Sequence, residues 1–85
     1  MTLNKLNEVV EKDREMVKQG KLQDGAFGIK ECRKSIEWKL KMAQGKKTLQ
    51  DIYGELVVRG LNEWGFNTLM IVACEQMIEE MEGTK

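Results

Sequence analysis

No proline interrupts this chain, and its apolar residues recur three and four positions apart over most of its length. That spacing is the signature of amphipathic helices, and without proline the glycines are left to mark where one helix ends and the next begins. The sequence therefore predicts an all-α fold, a small bundle of three or four short helices. At 85 residues it reads as a single helical domain spanning 1–85. A chain of this size buries only about 60 to 65% of the surface it exposes when unfolded, so its core is thin and self-association is expected.

The first predicted helix runs from an N-cap at Thr2 to Gly20, with Leu3, Leu6, Val9, Val10, Met16 and Val17 on one side. Asp13 falls inside that apolar arc. An unpaired carboxylate there is costly, so a partner is expected, and Lys39 is the candidate. The stretch 20–28 reads as a connection, although Asp24 is also a possible cap for a helix beginning there. The second helix covers Ile29 to Gln44 and stops at Gly45, with Ile29, Cys32, Ile36, Leu40 and Ala43 in a stripe of roughly 80 degrees that faces the core.

Thr48-Leu49-Gln50-Asp51 sets a hydroxyl at an N-cap and an acid in the first turn, a capping-box-like start for a third helix to about Arg59. Leu49, Ile52, Tyr53, Leu56 and Val57 form its inward face, and Gly54 is read as a place for a close helix contact. Gly60 and Gly65 are expected to bracket a turn. The fourth segment, about Asn67 to Glu82, spreads its apolar residues over roughly 180 degrees, so it is either the central helix of the bundle or shared with a second copy. Leu56-Val57-Val58 and Leu69 to Val72 are short apolar runs that periodicity alone does not separate from strands.

Histidine is absent, which removes Ser/His/Asp and Cys/His catalytic arrangements and imidazole metal ligands. Cys32 and Cys74 are too far apart for a Cys-x-x-Cys element, and two cysteines make no disulfide framework. No EF-hand spacing is visible. The expectation is a non-enzyme with no metal and no cofactor, in a reducing cytoplasm. The longest apolar run, Leu69 to Cys74, falls far short of the roughly 20 residues that span a bilayer, and the N-terminus lacks a signal-peptide apolar block, so no membrane association is expected.

The net charge is zero, yet residues 1–47 hold 12 basic and 7 acidic residues whereas residues 48–85 hold 2 and 7. The halves differ by sign, +5 against −5, and should attract. Lys30, Arg33, Lys34, Lys39, Lys41, Lys46 and Lys47 make the second helix and its end basic, while Glu75, Glu79, Glu80 and Glu82 make the C-terminal segment acidic. A DNA-reading helix-turn-helix ending in that acidic segment is disfavoured, because phosphate would repel it.

Trp38 and Met42 lie one turn apart and point almost opposite to the core stripe, beside Lys34 and Lys41. Such a pair is covered by another part of the chain, by a second copy, or by an external partner. Gly45-Lys46-Lys47-Thr48 resembles a fragment of a phosphate loop, but Thr48 does not follow Lys46 directly and Leu40 stands where the first glycine belongs. A helix N-terminus there leaves anion binding open. The reading that best fits is a protein-binding module, regulatory or inhibitory, acting through its apolar Met/Trp surface and self-associating as a homo-oligomer. The alternative is a module for a small anionic ligand, such as a nucleotide, or single-stranded nucleic acid. It would use Trp38, Met42, Lys34, Lys41, Lys46 and Lys47, with the basic helix 30–47 at a subunit interface.

Overall fold

A computed structural model describes residues 1–21 and 28–83. Among the described residues, four helices make up the all-α bundle: α1 (Leu3–Lys18), α2 (Ile29–Met42), α3 (Leu49–Asn62) and α4 (Leu69–Glu82). Both ambiguous apolar runs are helical, and there is no strand among the described residues. No helix among them is long and apolar enough to cross a membrane. The question of a helix starting at Asp24 lies outside the described residues.

Local signals account for most helix ends. The Thr2 hydroxyl accepts the Lys5 N–H, capping α1. At α3 the capping box closes on both sides: Thr48 Oγ1 accepts the Asp51 N–H at 3.2 Å, and Asp51 Oδ2 accepts the Thr48 N–H at 2.9 Å. α2 ends into Gln44 (φ 53°) and Gly45 (φ 84°), a left-handed pair that turns the chain back toward α3.

Four helix ends differ from the sequence expectation, one of them α2, which stops at Met42, two residues before Gln44. α1 stops at Lys18, two residues before the glycine, and α4 begins at Leu69, where the Asn67 side chain accepts the Leu69 N–H. The largest difference is α3, which runs past Arg59 to Asn62 and so takes Gly60 into its interior. Gly60 does not open a turn; it is buried, and a Cβ placed there would stand 3.0 Å from Leu6 Cδ1 of α1. The close helix approach expected at Gly54 occurs at Gly60, and nothing lies within 4 Å of a Cβ at Gly54. Both glycines fit a helical period, and only the position of α1 distinguishes them.

α4 is the central helix, packed against α2, α3 and α1. Its consecutive residues Ile71, Val72, Ala73 and Cys74 are all buried, which a helix achieves only when neighbours cover more than one side. Leu6, Val10 and Val17 of α1, Ile29, Cys32 and Ile36 of α2, and Leu49, Ile52 and Leu56 of α3 close around it. Each fully buried aliphatic side chain contributes about 1.5 to 3 kcal/mol. Leu3 and Met16, placed on the apolar arc of α1 by periodicity, remain exposed because they sit at the arc's edges near the two helix ends. The opposite charges of the two halves do meet: Arg14 of α1 pairs with Glu75 of α4 at 2.6 Å, and Arg33 of α2 with Glu80 of α4 at 2.6 Å.

Candidate functional site

Because Ile29, Cys32 and Ile36 turn α2 toward α4, the residues opposite them stand on the outside. Trp38 is 62% and Met42 61% exposed, so neither is covered within the described chain. Lys34 and Lys41 flank Trp38 on the same exposed helical face. α2 and α3 pack side by side, and a shallow groove of about 310 Å3 between them is lined by Trp38, Lys39, Met42, Lys47, Ile52 and Glu55. Lys47 reaches back to Glu55 at 2.8 Å, and Lys34 pairs with Glu31 at 3.4 Å. Lys46 is exposed in the turn, where its N–H bonds the Ala43 carbonyl at 3.0 Å, and it does not line the groove.

Farther along the same two helices, a recess of about 430 Å3 is lined by Ser35, Lys39, Arg59, Glu63, Trp64 and Phe66. Lys39 lines both hollows, so the groove beside Trp38 and the recess beside Trp64 are neighbours. Trp64 is 103% exposed, in the turn between α3 and α4 just before Gly65 (φ 76°). Arg59 holds it in a charged setting: its guanidinium chelates Glu63 at 2.6 Å and lies over the Phe66 ring at 5.1 Å. That ion pair pulls the Glu63 carboxyl below its usual range. Val58, 56% exposed, adds an apolar spot on α3.

Sequence reasoning singled out Trp38 and Met42 and missed Trp64. The available signal was its position between Glu63 and Gly65, a turn where a large aromatic has no helical face to join. Val58 lay within an apolar run and carried no such signal.

Asp13 finds a partner, but not Lys39. The Thr68 hydroxyl at the start of α4 donates to the Asp13 carboxylate. α1 packs on α4 and α3, which carries Asp13 toward the α4 entry, while Lys39 faces the groove on the other side of α2. Asn67, next to Thr68, donates to Cys32 Sγ at 3.7 Å. Burial, helped by the nearby Asp13 charge, raises the Cys32 thiol above its usual value.

A second polar centre lies between α1, α3 and α4. Glu75 accepts from Arg14 Nε at 2.8 Å and from Arg14 Nη2 at 2.6 Å, while the Tyr53 hydroxyl donates to the same carboxylate at 3.2 Å. Glu11 takes the remaining Arg14 donor at 2.6 Å. These hydrogen bonds raise the Arg14 guanidinium further above its ordinary value, and burial next to the Glu75 charge raises the Tyr53 phenol. The network borders a hollow of about 530 Å3 whose apolar side is Val17, Val72 and Ile78.

The Gly45-Lys46-Lys47-Thr48 segment follows helix α2, not the strand that a phosphate loop requires. The α3 N-terminus behind it is closed by its own Asp51, a negative charge where an anion would sit. Among the described residues, no three His, Cys, Asp or Glu side chains converge as metal ligands. Compared with known proteins, the chain matches no family model, no curated protein and no solved structure.

Proposed function

We propose that this chain is a non-enzymatic protein-binding module, regulatory or inhibitory in kind, acting through the α2/α3 face. The observation that carries the reading is the exposure of both tryptophans, Trp38 beside Met42 on the groove and Trp64 on the neighbouring recess. Apolar aromatic surface left in water is unfavourable, and tryptophan is the residue most enriched at the energetic centres of protein interfaces. Met42 adds an adaptable contact beside a rigid one. A reducing cytoplasmic setting belongs to the same proposal and is supported by the two unbridged, buried thiols of Cys32 and Cys74.

The alternative, an anionic ligand or single-stranded nucleic acid stacked on Trp38, draws on Lys34, Lys41, Lys46 and Lys47. It is weakened by Glu31 and Glu55, which already pair with Lys34 and Lys47 and place carboxylates beside the stacking surface. The two readings separate in one experiment. Trp38→Ala with Trp64→Ala should keep the helical circular dichroism and lose a protein captured by the tagged wild type from a cell lysate. Identical capture by both baits would sink the proposal. Quenching of tryptophan fluorescence by an oligonucleotide, weakening steeply between about 50 and 200 mM salt, would instead establish the alternative.

A further inference from the structure

We propose that the hollow between α1, α3 and α4 is a binding site for a small zwitterion with an apolar body, the chemistry of a free apolar α-amino acid. The site is separate from the α2/α3 face and does not depend on the reading of that face.

The register of α1 against α4 opens the case. Passing along α1 from Asp13 to Lys18 follows α4 from Thr68 to Glu79: Asp13 meets Thr68, Arg14 meets Glu75, and Lys18 and Glu79 line the same hollow. Lys18 stands one turn past Arg14, and Glu79 one turn past Glu75. An ion pair between them would be the next rung after the Arg14–Glu75 chelate. It does not form: neither side chain has a partner among the described residues, and about 530 Å3 of open space lies there instead.

The hollow is built like a site for a small molecule. Its floor reaches the core, since Val17 and Val72 are buried and Ile78 lies beside them. Its wall is held in place, because Arg14 and the Tyr53 hydroxyl both donate to Glu75. An apolar floor with a few fixed polar groups, in a volume of roughly 300 to 1,000 Å3, is the usual form of a ligand pocket.

Charge selects the class of ligand. Arg14 is already engaged by Glu75 and Glu11, which leaves one free cation, Lys18, and one free anion, Glu79, at the hollow. A ligand with a single charge matches one of them and is repelled by the other. An α-amino acid offers its carboxylate to Lys18 and its ammonium to Glu79, while an apolar side chain covers Val17, Val72 and Ile78. Gln76, whose Oε1 accepts from Arg33 at 3.2 Å, keeps its amide N–H groups as further donors for the carboxylate.

Nuclear magnetic resonance titration of the full chain, following the backbone amides, tests this with L-phenylalanine and L-leucine as probes. Phenethylamine and 3-phenylpropionate serve as the two single-charge controls. At least one amino acid should bind with a dissociation constant of about 1 mM or below and shift the amides of residues 14–18 and 72–79. Each control should bind about fivefold more weakly than phenylalanine. Lys18→Ala and Glu79→Ala should each weaken the amino acid by about threefold or more, with the helical circular dichroism kept because both side chains are exposed. Absence of shifts with both amino acids at about 20 mM, or shifts confined to the surroundings of Trp38 and Trp64, overturns the site. A control that binds as tightly as phenylalanine, or binding indifferent to both substitutions, overturns the zwitterion.

Discussion

The two sides of α3 handle their polar and apolar groups in opposite ways. Toward α1 and α4, Tyr53 joins Arg14 and Glu75 in a network whose donors and acceptors find each other within the chain. Toward α2, the ion pairs are local and exposed, and the large apolar side chains Trp38, Met42 and Trp64 have no cover within the described chain. The side of α3 whose polar groups are satisfied within the chain holds the fold together, and the side toward α2 leaves apolar groups in water. The difference lies in where the chain's own mass falls: α4, the central helix, backs every inward face, and nothing in the described chain lies over the α2/α3 groove.

The widest test of this contrast is a pair of substitutions two residues apart on α2. Ile36 is fully buried, so Ile36→Ala should lower unfolding stability by about 2 to 5 kcal/mol. Trp38→Ala, in dilute solution where no partner covers it, should change stability by no more than about 0.5 kcal/mol. Urea denaturation measures both, and similar losses would break the distinction between core and open face.

Alkaline titration probes the closed side next. Burial raises the Cys74 thiol from 9.0 to about 11, and its S–H points to the Leu49 carbonyl at 3.5 Å. A group whose folded value is raised stabilises the fold fully below its unfolded value and loses that contribution as pH climbs through the folded one. The wild type should therefore lose on the order of 2 kcal/mol between pH 9 and 11 through this group, a loss that Cys74→Ala should lack. A thiol reagent should likewise modify native Cys74 far more slowly than the unfolded chain.

Within the charges, Glu75→Gln breaks a chelated, half-buried ion pair and should cost about 1 to 2 kcal/mol. Glu80→Gln, at the exposed Arg33 pair, should leave the denaturation midpoint within error of wild type. The smallest contrast is between the glycines of α3. Gly54→Ala enters open space and should gain about 0.5 to 1 kcal/mol from helix propensity, while Gly60→Ala presses on buried Leu6 and should end at least about 1 kcal/mol less stable than Gly54→Ala.

Much of this was legible before any tertiary contact was known. The Thr2 and Thr48 caps, the stop at Gly45 and the inward stripe of α2 are consequences of side chains acting within a few residues of themselves, so periodicity and capping chemistry reach them. The outward position of Trp38 and Met42 follows from that stripe in the same way. The sequence alone thus determined the helices, their inward faces and half of the candidate surface. Only the tertiary structure decided that Asp13 meets Thr68 and not Lys39, that Arg14 reaches Glu75 across 61 positions, and that Gly60 and not Gly54 receives a neighbour. It also set Trp64 on a recess that shares Lys39 with the groove beside Trp38. Each of those depends on the rotation and height of one helix against another, which is set by packing the whole core at once and leaves no mark in the local pattern.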